Sequence, residues 1–398
     1  MPWHYRQGII LFLLLHLMRK PFLFLLLSAL FLSKTQGQSF QDTLKHEKPG
    51  LLDKTFDLGD QVIDLISGEN WAFIPIVVYS PETRLGLGVR AIRVFQFRDQ
   101  DNPLLRPSSL PITFLYTLNR QAIFTSEVNL WANENKDFFN ARLELSDFPF
   151  RFYGIGNQPI LEEGESYSTR YAYFHGLFQK RLTEGIYLGG RYEFRVDDIY
   201  EKQEGGLLDV GNIPGSNGQR LSGLGIVMTH DTRDQIFQPT KGWFSTITAM
   251  GFPAWLGSNF NFYQYTFDLR KYTLLGDQKI LALQSWWSFT SGDAPFQHIS
   301  LIGGSERMRG FFEGRYRDRH ALVQQAEFRL PIYRNLGMVF FGHAGQVFSN
   351  FNRVEFSKMR YGAGMGFRYR LNKEGLNIRL DFALGDQSAF YFGLNEAF

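Results

Sequence analysis

The sequence predicts a transmembrane antiparallel β-barrel of about sixteen strands, with one long glycine-rich loop and a short amphipathic helix ahead of the first strand. Three observations predict it. The chain has 40 Phe, 18 Tyr and 39 Gly among 398 residues, no Cys, and an apolar fraction of only 44%. Soluble proteins of this size seldom use Phe so heavily. A barrel with an aromatic lipid face and a polar lumen averages to the mildly negative mean hydropathy seen here. The second observation is a switch of the hydrophobic period to two at Trp71, held to the end of the sequence. The third is an alternation of short and long connections between the period-two segments.

The elements follow in order. Ile9–Met18 and Phe22–Leu32 are apolar runs separated by Arg19-Lys20-Pro21, and the paired charges disfavour one interrupted membrane span. A start at Met18 makes Arg19 and Lys20 a positive n-region, Phe22–Leu32 an h-region and Ser33–Gly37 a cleavage region. Residues 1–37 are thus expected to be a signal peptide, with the mature chain beginning near Gln38. Beyond Leu32 no apolar run is long enough for a transmembrane helix. Residues 38–70 are expected to be a periplasmic segment. Within it, Leu51–Ser67 places Leu52, Phe56, Val62, Ile63 and Ile66 at roughly helical spacing among five acidic and basic residues. This helix either packs at the periplasmic mouth or plugs the lumen.

The barrel is expected over 71–398. Its strands are Trp71–Tyr79, Leu85–Phe97, Leu110–Leu118, Ala122–Trp131, Phe138–Ser146, Ser168–Arg181, Gly185–Val196 and Leu221–His230. They continue with Trp243–Gly251, Phe260–Tyr272, Lys279–Thr290, His320–Leu330, Gly337–Phe348, Tyr361–Leu371, Leu376–Ala383 and Ala389–Phe398. Outer-membrane barrels keep periplasmic turns short and external loops long. With both termini periplasmic, the long connections Asp147–Tyr167, Asp197–Arg220, Ser291–Arg319 and Ser349–Arg360 all fall outside. Arg98–Ser109 and Asp231–Gly242 are the two long connections on the periplasmic side.

Composition and spacing also narrow the chemistry. Without Cys there are no thiolate metal sites or disulfides. A net charge of +3 points to no nucleic-acid partner. There is no Gly-x-Ser-x-Gly elbow, and the histidines lack local Ser or Asp partners, so an enzyme is not expected. No spacing suggests a metal site or any cofactor. Gly86, Gly88, Gly189 and Gly190 lie inside strands and read as barrel bends, not phosphate loops.

The most informative stretch is Leu301–Arg319, with Arg307, Arg309, Arg315, Arg317 and Arg319. A loop of this size in a compact domain usually has a function, and an arginine buried in a barrel needs a carboxylate. Gly303, Gly304 and Gly310 permit a tight backbone path, and Phe311 and Phe312 are candidates to wedge the tip.

The tetrad Met308-Arg309-Gly310-Phe311 resembles the arginine-glycine-phenylalanine signature of the BamA/TamA superfamily, the bacterial surface antigen family. Thr229–Phe244 resembles that family's strand–turn–strand segment through Asp231, Arg233, Asp234, Pro239, Lys241, Gly242 and Trp243. Gln325–Pro331 and Val339–Phe348 resemble its next two strands. Phe392, Gly393 and Phe398 lie in a terminal segment, YFGLNEAF, similar to a barrel-insertion signal. Pro149 and Tyr153–Gln158 also resemble a family loop, without evident chemistry.

The resemblance implies a bacterial outer-membrane location and an inward-folded loop. It implies a latch of Arg309, Gly310 and Phe311 held by Glu327, with no catalytic residue. It further implies unfolded outer-membrane proteins as clients and outer-membrane lipids as surroundings. The implied activity is insertion or translocation of proteins through a weak seam between the first and last strands, where Pro75 removes a ladder donor. The alternative is a passive pore. Two residues depart from the pattern. His343 stands where an Asp is usual, so the clasp is expected to be weaker or rearranged. Glu396 stands where alternation expects an apolar, lipid-facing residue. Residues 38–70 are too few for a POTRA domain, since a domain needs about 50 residues. A POTRA-less member, served by a separate periplasmic accessory protein, is therefore expected.

Overall fold

The computed structural model describes residues 71–96, 105–236, 238–370, 377–394 and 396–398. The expected signal peptide, the start at Met18, the helix at Leu51–Ser67 and the turn Asn372–Gly375 lie outside the described residues.

Sixteen strands close an antiparallel barrel. They are β1 (Ala72–Ser80), β2 (Arg84–Phe95), β3 (Ser108–Thr117), β4 (Ala122–Ala132), β5 (Asp137–Phe152), β6 (Glu165–Thr183), β7 (Ile186–Lys202), β8 (Gln219–Asp231), β9 (Gly242–Phe252), β10 (Phe262–Leu275) and β11 (Lys279–Gly292). After them come β14 (His320–Tyr333), β15 (Leu336–Phe348), β16 (Arg360–Arg370), β17 (Asn377–Leu384) and β18 (Ser388–Leu394). The connection from β11 to β14 carries its own two-stranded ribbon, β12 (Ser300–Ile302) and β13 (Tyr316–Asp318). All sixteen expected strands occur, in the expected order.

Alternation sets which face is which. In β10, Tyr263, Tyr265 and Leu269 point outward, while Phe262, Gln264, Asp268, Arg270 and Tyr272 point to the lumen. In β17, Leu384 and Phe382 point outward, while Asn377, Arg379 and Asp381 are buried inside. Period two follows from the pleat, and closure removes the strand edges that an open sheet would expose.

Strand length is uneven around the wall. β6 has 19 residues and β7 has 17, against 9 in β1, 8 in β17 and 7 in β18. About 9–11 tilted residues cross the hydrocarbon, so β5 to β7 rise beyond it on the side of the long loops. There, Phe152, Tyr167, Ile199, Leu208 and Phe296 form a second apolar core, joined by Ile155 and Ile213. These side chains come from three different loops and strand ends, and they roof the outer mouth.

Two expectations are corrected at the C-terminal end. β18 stops at Leu394 instead of running to Phe398. Phe390, Phe392 and Leu394 keep their outward face, but the last residues turn into the lumen. Phe398 is buried against Tyr272, Ala282 and Phe244. Glu396 does not face lipid: it is buried and bonded to Arg368 and Asn377. A carboxylate finds no partner in hydrocarbon but finds guanidinium groups in the lumen, and that difference overrides the alternation.

Candidate functional site: the inward loop

The loop between β11 and β14 is tied at its base and bent at its tip. In the ribbon, Ser300 pairs with Asp318, Leu301 with Arg317 and Ile302 with Tyr316. Beyond it the chain turns inward through Gly303 (φ 112°), Gly304 (φ 86°) and Gly310 (φ 91°). A Cβ at Gly310 would lie 2.9 Å from the Gly385 nitrogen, so both the dihedral and the close approach require glycine there. Met308, Phe311, Tyr316 and Ile302 pack against Trp286, Ala321, Val323 and Val347 of the wall. Burying Met308 and Phe311 contributes about 2–3 kcal/mol each. Phe312 leans the other way, onto Phe150 and Tyr153, each at 5.5 Å.

This path delivers Arg309 to a dry site. Its Nη2 donates to Glu327 Oε1 at 2.6 Å, and its Nη1 donates to Asp381 Oδ2 at 2.5 Å. All three side chains are fully buried. The guanidinium also lies 3.5 Å from the centroid of Phe341. The carboxylates are shared further. Arg329 donates to Glu327 Oε2 at 2.8 and 3.0 Å. Arg368 donates to Asp381 Oδ1 at 2.6 Å and to Glu396 Oε2 at 2.7 Å. Arg379 stands 3.7 Å from Asp381. Each buried charge therefore meets an opposite one, the condition under which burial is tolerated.

Glu327 is the partner that the sequence predicts. Asp381, two strands beyond β15, is the one it misses. Period two in Asn377-Ile378-Arg379-Leu380-Asp381 already places Asp381 in the lumen, but nothing local says that a residue on β14's loop will reach it. Glycine provides the reach. On β16, Gly362, Gly364 and Gly366 alternate along the lumen face. A Cβ on Gly366 would sit 2.1 Å from Asp381 Oδ1, and one on Gly364 would sit 2.4 Å from the Phe341 ring. β16 is thus a trough in which the clasp lies.

His343 shares this site but not its ion pairs. Neither ring nitrogen has a hydrogen-bond partner among the described residues. The ring stacks with Phe341 at 6.1 Å and meets Phe311 edge-on at 6.0 Å. Asp381 supplies the second carboxylate of the clasp.

The same loop touches both sides of the seam where the barrel closes. Among the described residues the register of β1 with β18 shows one pair, Tyr79 with Phe392, whereas β1 pairs with β2 along its whole length. On the β18 side, the Gly310 N–H donates to the Tyr391 hydroxyl at 2.9 Å, and the Gln387 N–H donates to the Gly310 carbonyl at 3.1 Å. Tyr316 hydrogen-bonds Asp386. On the β1 side, the Glu313 N–H donates to Glu82 Oε1 at 2.8 Å, in the turn between β1 and β2. The Tyr153–Gln158 loop joins from above: the Gly156 N–H donates to the Arg317 carbonyl at 2.7 Å, and the Asn157 amide donates to the Lys358 carbonyl at 2.9 Å.

The periplasmic turn residues lie apart from this site. Asp231 accepts from Arg233 at 2.9 and 3.0 Å and from Arg106 at 2.8 Å, joining two turns of the rim. Asp234 accepts from the main chain of Thr240 and Lys241. Gly242 has φ 107°, and a Cβ there would meet the Thr232 carbonyl at 2.2 Å. Pro239 is buried in the turn, and the Lys241 side chain makes no ion pair among the described residues. Phe392 and Gly393 stay on β18, and the Phe398 carbonyl accepts from Arg329 at 2.8 Å. Among the described residues no group of three or more His, Asp or Glu side chains could hold a metal ion.

A family model described as the Omp85 superfamily domain matches residues 121–398. The fold is similar to that of BamA from Haemophilus ducreyi lacking POTRA domains 1–3, with a TM-score of 0.56 and 13% identity over 83% of this chain and 70% of that one. CdiB from Acinetobacter baumannii is similar with a TM-score of 0.54 and 11% identity, over 83% of this chain and 60% of that one. CdiB from Escherichia coli gives 0.55 and 10%, over 83% and 63%. This chain therefore spans less than two thirds of either CdiB. No curated protein sequence is significantly similar to it.

Proposed function

The chain belongs to the Omp85 superfamily and is a bacterial outer-membrane β-barrel, and from that premise we propose that it assists the insertion or translocation of proteins at the outer membrane. The observation that carries the reading is the loop that bridges a seam showing one residue pair among the described residues. Opening that seam exposes strand edges on β1 and β18. Unpaired N–H and C=O groups along such an edge template an incoming strand of a client. The Arg309 clasp acts as the latch: docked, it holds Tyr391 and Glu82 together; undocked, it frees both edges. The clients are unfolded outer-membrane proteins, and a separate periplasmic protein delivers them. The lumen supplies position and charge, and no covalent step is assigned to it. The alternative, a passive pore, fits less well with a loop packed in the lumen and an apolar roof over the outer mouth.

The test uses the absence of cysteine. Tyr79→Cys with Phe392→Cys places one thiol on each side of the seam, at the register pair. In liposomes, oxidation should stop assembly of a model outer-membrane protein and reduction should restore it. A locked barrel that assembles clients at the wild-type rate overturns the proposal. A steady planar-bilayer conductance insensitive to Arg309→Ala would favour the pore.

A further inference from the structure

The outer wall carries a depression that the seam and loop do not use. It is a cavity of about 600 Å³ on the lipid side of β9 to β11, β14 and β15. Its floor is made largely of small residues, Ala326, Gly342 and Ala344. Ala326 pairs with Gly342 across β14 and β15, and Gln324 pairs with Ala344. All four residues alternate with lumen residues and face outward. Beside them Leu269 and Leu283 stand exposed, as lipid-facing residues do elsewhere on the barrel.

Two polar features distinguish this hollow from a chance gap. At its lower edge Lys271 points outward, its Nζ 4.7 Å from the centre of the Trp243 ring. Lys271 pairs in register with Trp243, which is one residue from the start of β9 at the periplasmic turn. The ammonium thus lies at the periplasmic interface, and no carboxylate among the described residues pairs with it. Higher in the hollow, Ser285 Oγ accepts from Gln324 Nε2 and from Trp287 Nε1, each at 2.8 Å. The Ser285 hydroxyl proton is then free to donate, on a face where hydrocarbon offers no acceptor.

We propose that the depression binds one glycerophospholipid of the periplasmic leaflet. The phosphate pairs with Lys271, in the manner of interfacial Lys and anionic headgroups. A glycerol ester carbonyl accepts the Ser285 hydroxyl. Ser285 lies two residues beyond Leu283, the register partner of Lys271. Two residues of strand span about 7 Å, the order of the distance from phosphate to ester in such a lipid. An acyl chain lies on Ala326, Gly342 and Ala344, where a larger side chain would exclude it.

Native mass spectrometry of the full chain in detergent, with added dioleoyl phosphatidylglycerol, tests this. Wild type should retain one phosphatidylglycerol, and Lys271→Gln and Ala344→Leu should each lose it by about tenfold, the scale of one lost charge-assisted contact. Dioleoylglycerol, which lacks the phosphate, should not be retained. Heat-modifiable gel mobility reports that each variant is folded, and Lys271→Gln decides alone if Ala344→Leu is not. Wild-type retention by a folded variant overturns the site, and so does equal retention of dioleoylglycerol.

Discussion

Removing the Asp381 carboxylate should undock the loop. Asp381 is fully buried and receives Arg309 at 2.5 Å and Arg368 at 2.6 Å, with Arg379 at 3.7 Å. Asp381→Ala leaves these guanidinium groups facing one another with Glu327 and Glu396 as the remaining acids. Breaking a buried pair in this way costs about 3–5 kcal/mol. At about 1.4 kcal/mol per decade, the ratio of docked to undocked loop falls by roughly two to three and a half decades. Met308 is fully buried in the loop tip, and the chain has no native thiol. Met308→Cys therefore reacts with a maleimide only when the tip lifts out. Adding Asp381→Ala should raise the labelling rate by about two decades or more. Gly366→Ala should act in the same direction, because its Cβ would displace the Asp381 carboxylate. An unchanged labelling rate in both backgrounds refutes the reasoning, since the clasp would then contribute nothing to docking.

Three further outcomes are expected. Gly310→Ala combines a left-handed backbone with a collision at Gly385; it should cost about 1–3 kcal/mol and expose the arginine-rich tip to trypsin, and a resistant loop would contradict this. Glu396→Ala leaves Arg368 and Asn377 without a shared acceptor and should lower the unfolding temperature on heated gels, by the equivalent of about 3 kcal/mol; an unshifted transition argues that the terminal residues are not held. Burial holds the Glu82 carboxyl above its ordinary value, against the lowering effect of the Glu313 N–H. A raised acid favours the folded state below the ordinary carboxylate range and loses that contribution as pH rises through the raised value. The unfolding temperature of wild type relative to Glu82→Gln should therefore fall as pH rises from about 4 to 8, and a rise would reverse the sign and sink the argument.

The fold was legible because a barrel writes itself in period two. Each strand announces its faces locally, and the parity of connection lengths fixes the count. The latch was half legible. Arg309 and Glu327 are recognisable from their neighbours in sequence, and Gly303, Gly304 and Gly310 announce the bends. Asp381 and Arg368 escape the sequence reading, because alternation says no more than which face they take and their pairing depends on how far a loop reaches across three strands. The glycines of β16 set that reach, and they act by what they omit. Alternation misplaces Glu396 because it assumes that the strand continues. Once β18 ends at Leu394, the side chain follows its charge, not its place in the pattern. The stretch Tyr153–Gln158 offered no chemistry, and its use is structural, a main-chain tie from one loop to another.

The sequence positions of the clasp carry a consequence for how the barrel is made. Every side chain that holds Arg309 comes from residues 327 to 396, and the loop's contacts to the seam need both Glu82 and Tyr391 in place. The ion pairs of the tip therefore need the last strands in the wall, whereas the first hairpin adds only the Glu82 contact. The charges of the clasp balance within this C-terminal stretch, since Glu327, Asp381 and Glu396 meet Arg309, Arg329 and Arg368 there, so the latch is electrostatically complete on one side of the closure and only its Glu82 contact reaches across.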